Sequence, residues 1–141
     1  MDAGKIARAC ADAMWAEDSA SKGLGIQLIS IEPGRAVLAM TITDAMVNGH
    51  NIAHGGFIFT LADSTFAYAS NTYNQRTVAQ HCTVTFLAPG RLGDRLIAKG
   101  VERHRTGRSG IYDVTVTRED GTVIAEFRGQ YRTIEGTLMS A

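Results

Sequence analysis

The spacing of apolar residues divides the chain into helix-period and strand-period segments. Ile6, Cys10, Ala13 and Met14 recur at helical spacing, which predicts an amphipathic helix over 3–16 with Trp15 packed near its end. Residues 24–31 and 36–42 read as strands joined through the proline-glycine turn Glu32-Pro33-Gly34-Arg35, and so as a hairpin. Residues 44–53 form a polar loop carrying Asn48-Gly49-His50-Asn51, and the glycine pair after His54 opens a second helix that runs to about residue 71. Four β-rich runs close the chain, at 78–87, 95–104, 111–117 and 122–133. They are broken at Pro89-Gly90, at Arg105-Thr106-Gly107-Arg108-Ser109-Gly110 and at Glu119-Asp120-Gly121. Strands joined by turns this short are antiparallel, which makes the four a meander.

The second helix is apolar on nearly every side. Phe57, Ile58, Leu61, Phe66 and Ala69 spread around its cylinder, so it must be enclosed by other structure rather than lie on a surface. The economical architecture is α+β: a strongly curved antiparallel β-sheet wrapped around one long central helix, together with the N-terminal helix. A helix face left over by the sheet calls for a second partner, and a dimer supplies one. Within this apolar stretch stands a single carboxylate, Asp63. Burying an ionised acid is tolerated only when it is hydrogen-bonded, paired or facing a wet pocket, and partial desolvation raises its pKa toward the range useful for proton transfer. Asp63 therefore suits a general base.

Composition narrows the function classes. With 141 residues, 45% of them hydrophobic, the chain is read as one domain over 1–141 that can build a core without metal or disulfide staples. Lys and Arg number 14 against 14 Asp and Glu, and this zero net charge argues against a nucleic-acid-binding domain. Arg91, Arg95, Lys99, Arg103, Arg105 and Arg108 nevertheless fall in one short region, as a site for the phosphates of a small ligand or as a solvated strand face. Cys10 and Cys82 show neither metal nor redox spacing and read as small core residues in a reducing compartment. His50, His54, His81 and His104 form no ligand motif, so no metal is expected. The N-terminus lacks a signal pattern and no apolar run approaches the ~20 residues of a membrane span, which predicts a cytoplasmic protein without a membrane partner.

Helix geometry adds a constraint. Gly55 and Gly56 at a helix N-terminus offer unpaired N–H groups and a positive dipole end that could polarise an acyl carbonyl, although glycine pairs also make ordinary loop-to-helix junctions. Asp63 lies eight residues beyond Gly55, about 12 Å along the axis, so one carbonyl cannot touch both. Two such helices packed antiparallel about a two-fold axis bring the glycine end of one beside Asp63 of the other. The site is therefore expected to require a dimer. His54 and Asn48 stand nearby as a ligand contact and a water or carbonyl contact, or as groups that satisfy their own loop.

The run Asn48-Gly49-His50, then His54-Gly55-Gly56, then Phe59, Leu61-Ala62-Asp63 and Phe66-Ala67-Tyr68-Ala69 resembles the hotdog-fold acyl-CoA thioesterases of phenylacetic acid degradation. The resemblance continues through Phe86-Leu87, Pro89-Gly90, Gly93-Asp94, Gly110, Tyr112-Asp113 and Phe127-Arg128-Gly129, nearly the whole chain. It implies the hotdog fold, a dimer of dimers with active sites at the dimer interface, and hydrolysis of phenylacetyl-CoA or its ring-hydroxylated relatives to the free acid and coenzyme A. The implied role is salvage of CoA from stalled aromatic degradation, with CoA carried by the substrate and no separate cofactor. On this resemblance Asp63 matches the catalytic acid, Gly55 the amide that polarises the thioester carbonyl, and Asn48 and His54 supporting positions. Some relatives carry a serine or threonine early in the strand after the helix. Here that place is read as Ala79, which leaves water placement to Asn48 and Asp63.

Asp63 acts either as base on a water or as nucleophile through a mixed anhydride, and the sequence leaves both routes open. Gly56 and Tyr68 are substrate-binding candidates, with Phe66 and Tyr73 as further walls of an aromatic-acyl pocket. Arg103, Arg105 and Arg108 of one hairpin, or Arg91, are candidates for the CoA phosphates. Two other readings share the fold. One is a hydratase or dehydratase of acyl-thioesters with His54 or His81 as base; the other is a non-catalytic acyl-CoA sensor, in which Asp63 has no task.

Overall fold

The computed structural model describes residues 1–139. Helix α1 (Ala3–Glu17) starts where the Asp2 carboxylate accepts the Lys5 N–H at 2.8 Å, an N-cap that fixes its first turn. A short helix absent from the sequence reading follows, α2 (Ser19–Gly23), nucleated by Asp18, whose carboxylate accepts the Ser21 N–H at 3.0 Å. Its polar residues carry no apolar period that would reveal it. The Leu24 N–H is still held by the Ala20 carbonyl at 3.2 Å, so strand β1 (Gln27–Glu32) begins later than expected. The hairpin to β2 (Arg35–Thr41) is as predicted, with Gly34 at φ +69° supplying the left-handed turn. A Cβ at Gly34 would also lie 2.8 Å from the Tyr73 hydroxyl.

Helix α3 (Gly55–Ser70) is followed by β3 (Thr77–Phe86), β4 (Arg95–Thr106), β5 (Ser109–Arg118) and β6 (Val123–Thr133). The six strands form one antiparallel sheet in the order β1-β2-β4-β5-β6-β3. The expected four-strand meander is therefore corrected: β4, β5 and β6 are consecutive, but β3 pairs with β6 at an edge and not with β4. The cause lies in the connection after β3. Instead of folding back, it bonds to the segment before α3: the Gly90 carbonyl accepts the Ala53 N–H at 2.8 Å, the Leu92 N–H reaches the Asn51 carbonyl at 3.0 Å, and the Gly93 N–H reaches the Ile42 carbonyl at 2.9 Å. These bonds carry the chain across the sheet and deliver β4 beside β2.

Helix α3 lies on the concave face and touches all six strands. Close approach is made possible by two strand glycines. A Cβ at Gly129 would meet the Phe66 ring at 2.7 Å, and one at Gly100 would meet Thr65 Cγ2 at 3.1 Å. Phe66 then sits against Tyr112 and Phe127 with ring centroids 5.9 and 5.8 Å apart. The N-terminal helices cover another side of α3: Tyr68 donates its hydroxyl to Asp18 at 2.9 Å and packs against Trp15 with the two rings tilted by 52°, while the Ser21 and Ser64 hydroxyls meet at 3.3 Å. The strip of α3 nearest the β3 edge stays open, and β3 itself leaves Val78 and Phe86 nearly half exposed.

The helix-to-sheet contact makes a direct prediction. Gly129→Ala forces the Phe66 ring to move and is expected to destabilise the protein by about 1–3 kcal/mol in denaturant unfolding. Gly23→Ala, in α2 without a positive φ and with nothing within 4 Å of the added Cβ, is expected to be neutral or to stabilise by up to about 1 kcal/mol.

Candidate active site

The N-terminus of α3 is built as an open donor end. His54 takes the N-cap position in extended conformation without a side-chain capping bond, and its own N–H is held by the Met46 carbonyl at 2.9 Å. Among the described residues, the Gly55 and Gly56 N–H groups have no acceptor outside the helix. Phe86 lies so close over Gly55 that a Cβ there would sit 2.8 Å from Cζ of its ring, so a side chain at this position forces the half-exposed Phe86 ring aside. Gly56, by contrast, has nothing within 4 Å on its side-chain side and leaves the approach clear. This end opens on a cavity of ≈ 460 Å³ walled by Gly55, Ile52, Ile58, Phe86, Leu87 and Pro89. The Asn48 Oδ1 accepts from the N–H groups of His50 (2.9 Å) and Ile52 (3.2 Å). Its oxygen thus organises the loop, and its amide N–H groups are what remain to donate outward.

Asp63 lies two turns further along α3, half-buried on the open strip. Burial pushes its carboxyl above the usual carboxylate range, and no cation or hydrogen bond among the described residues opposes the shift. It faces a cleft of ≈ 190 Å³ shared with Phe66, Ala67, Ser70, Asn71, Thr77 and Ala79. Ala79 brings no hydroxyl to Asp63, but Thr77 does line the same cleft. Cys82, which reads from the sequence as a small core residue, is a neighbour of Asp63: burial and the Asp63 charge both push its thiol up. The β-bulge between Ala79 and His81 sets this arrangement, because it returns Cys82 to the helix side, opposite Gly129. Gly55 and Asp63 line separate cavities that share no residue, in keeping with their separation of about 12 Å along the axis.

The remaining candidates are scattered. Tyr68 is not at the cleft: it is 1% exposed, lies under α1, and is bonded to Asp18 on another face of the helix from Asp63. Periodicity could not reveal this, because α3 is apolar on every face. Tyr73 donates to Glu102, and the Arg105 guanidinium stacks on its ring at 3.8 Å. Arg103 pairs with Asp113 at 2.9 Å, and Arg108 donates to the Thr133 carbonyl at 3.3 Å. These arginines belong to the β4–β5 hairpin at the C-terminal end of α3, where Tyr112 donates to the Ala69 carbonyl at 3.2 Å. Arg91 stands at the opposite end, bridged to Ile52 beside Gly55, with no ion pair among the described residues. The basic run is therefore not one patch.

Among the histidines, His81 pairs with Gln130 on the outer side of the sheet, and His104 Nε2 lies 2.6 Å from the Thr106 hydroxyl. Among the described residues no group of three or more His, Cys, Asp or Glu could hold a metal ion, and no helix is long and apolar enough to cross a membrane.

Comparison with known proteins identifies the family and the fold. A family model described as the thioesterase superfamily matches residues 50–125, more than half of the chain. The acyl-coenzyme A thioesterase PaaI of Escherichia coli (strain K12) is 44% identical over 128 residues, 91% of each chain. A structure of the E. coli PaaI protein from the phenylacetic acid degradation operon superposes with a TM-score of 0.94 at 42% identity, covering 96% of this chain and 99% of that one. A Streptococcus mutans UA159 protein, solved bound to acetyl CoA, gives a TM-score of 0.76 at 27% identity, covering 79% of this chain and 90% of that one. The chain, a curved antiparallel sheet around a central helix, belongs to the thioesterase superfamily and has its hotdog fold.

Proposed function

We propose that this protein hydrolyses acyl-CoA thioesters, phenylacetyl-CoA and its ring-hydroxylated relatives foremost, to the free acid and coenzyme A. The observation that carries the reading is Asp63: a half-buried carboxylate, without a partner among the described residues, held above its usual pKa, and facing a cleft at an open sheet edge. Structural acids are paired or hydrogen-bonded; one left desolvated and partnerless in a cleft is suited to accepting and returning a proton. The relatives support the substrate class, since the E. coli protein is named an acyl-CoA thioesterase and the S. mutans protein holds acetyl CoA.

The mechanism needs two protomers. The unpaired β3 edge, with Val78, Phe86 and Leu87 exposed, is a surface on which a second β3 can pair antiparallel about a two-fold axis. That pairing sets Gly55 of one protomer beside Asp63 of the partner subunit, and two such dimers associate into the tetramer. The Gly55 N–H then receives the thioester oxygen as it gains negative charge, with the dipole of α3 behind it. Asp63 takes a proton from water, the resulting hydroxide attacks the carbonyl carbon, and the C–S bond breaks. The departing thiolate recovers the proton from Asp63, whose raised pKa makes it a stronger base at the first step. Asn48 and His54 direct their donors toward the water and carbonyl, and Gly56 leaves room for the ester. Arg91, at the Gly55 end and without an ion pair among the described residues, takes a CoA phosphate on this reading, whereas Arg103, Arg105 and Arg108 are engaged with Asp113, Tyr73 and Thr133. For a histidine-based hydration, His81 lies on the outer side of the sheet, which leaves His54 at the Gly55 end as the remaining base.

Thiol release from phenylacetyl-CoA tests this directly. Asp63→Asn is expected to lower the rate by about 10²–10⁴-fold while the circular dichroism spectrum is kept. Asp63→Ala with a near-normal rate would contradict the proposal.

Stability should report the same group with a definite sign. The folded-state pKa of Asp63 is raised above its unfolded value of about 3.9, so folding favours the protonated acid. Its favourable contribution is full below the unfolded pKa and disappears as pH rises through the folded one. In urea unfolding, Asp63→Asn is therefore expected to match wild type near pH 3 and to exceed it in stability at neutral pH. A mutant less stable than wild type at neutral pH would mean that the carboxylate is held by favourable contacts.

A further inference from the structure

The Asp63 cleft closes on polar groups that this hydrolysis scheme leaves unused. Ser70, 4% exposed, places its hydroxyl 2.9 Å from the Thr77 hydroxyl and 3.3 Å from the Ala67 carbonyl. Asn71 fixes both sides of this corner: its Nδ2 donates to the Ala67 carbonyl at 2.8 Å, and its Oδ1 accepts the Thr77 N–H at 2.9 Å. Whichever hydroxyl donates to the other, Thr77 Oγ1 keeps an open lone pair, because a hydroxyl has two acceptor sites and Ser70 occupies at most one. The walls between Asp63 and this corner are otherwise apolar, formed by Phe66, Ala67, Val78 and Ala79.

Distance and volume restrict what fits. Asp63 and Ser70 lie on one face of α3, seven residues and about 10 Å apart along the axis. That is the reach of a thioester carbonyl followed by a short link, one aromatic ring and an outer substituent. The ≈ 190 Å³ of the cleft gives room for a single ring.

We propose that the Ser70–Thr77 hydroxyl pair is a specificity element: Thr77 Oγ1 accepts a hydrogen bond from a hydroxyl on the outer edge of the acyl ring, meta or para to its link. The site thereby favours hydroxyphenylacetyl thioesters over ring-methylated ones of the same size. A rigid, pre-bonded acceptor discriminates because a methyl group both forfeits the bond and leaves the acceptor unpaired. The assignment rests on the thioesterase reading above, and the test separates the two.

The experiment compares kcat/KM for 4-hydroxyphenylacetyl-CoA with 4-methylphenylacetyl-CoA, and for the 3-substituted pair, by thiol release. Wild type is expected to favour the hydroxyl ester of at least one pair about tenfold. Thr77→Val should bring that ratio to about one and Thr77→Ser should retain it, with Thr77→Ala as the smaller hydroxyl-free variant if valine impairs folding. A ratio unmoved by loss of the Thr77 hydroxyl, or a wild type that hydrolyses hydroxyl and methyl esters equally well, would overturn the assignment and leave the thioesterase reading standing. No release from any of the four esters by wild type would overturn both.

Discussion

Enclosure of α3 on every side but one is the constraint from which the rest of the structure follows. The sheet takes the broad face of the helix, and Gly100 and Gly129 let it descend until Phe66 and Thr65 meet the strands. The N-terminal helices close a second side through Tyr68, Asp18 and Trp15. What remains is a strip beside β3, and that strip holds Asp63 and Ala67, with Ser70 and Asn71 buried at its end. A charge at Leu61, Thr65 or Ala69 of this helix would be in the core. Placed here, it is desolvated enough to raise its pKa and open enough to meet a substrate.

The same enclosure separates the two halves of the chemistry. The donor end at Gly55 and the acid at Asp63 belong to one rigid helix, so no side-chain motion within a protomer brings them together. On the proposed reading a second copy in antiparallel register does so, and β3, the exposed edge strand proposed for that pairing, also lines the Asp63 cleft. On the proposed reading, assembly and site formation are one event.

Local chemistry was legible in the sequence, and long-range chemistry was not. The start of α3 at the glycine pair, the Gly34 turn and the isolation of Asp63 rest on neighbours within a few residues, and the structure reproduces them. The position of β3 depends on bonds from the 87–94 connection to Ile42, Asn51 and Ala53, which no spacing rule encodes. The scattering of the arginines depends on Asp113, Tyr73 and Thr133, partners supplied by other strands and loops. Tyr68 was misplaced because a helix apolar all round does not show which face meets which neighbour. Cys82 joins the Asp63 neighbourhood through the bulge at Gln80, a backbone detail without a signature in the residues themselves.

The central claim is that each active site takes its oxyanion donor from one protomer and its acid from another. Mixing two inactive variants tests it most directly. Asp63→Asn removes the acid, and Gly55→Pro removes the N–H at the first position of the helix, where proline fits the backbone; its ring displaces the half-exposed Phe86 ring of the same protomer, and the circular dichroism spectrum verifies that the fold is kept. Refolded together in equal amounts, they form heterodimers in which one of the two sites has both groups intact, so about a quarter of wild-type activity is expected from random assortment. A mixture no more active than either variant alone, with subunit exchange verified, would place both groups in a single protomer's site and contradict the account.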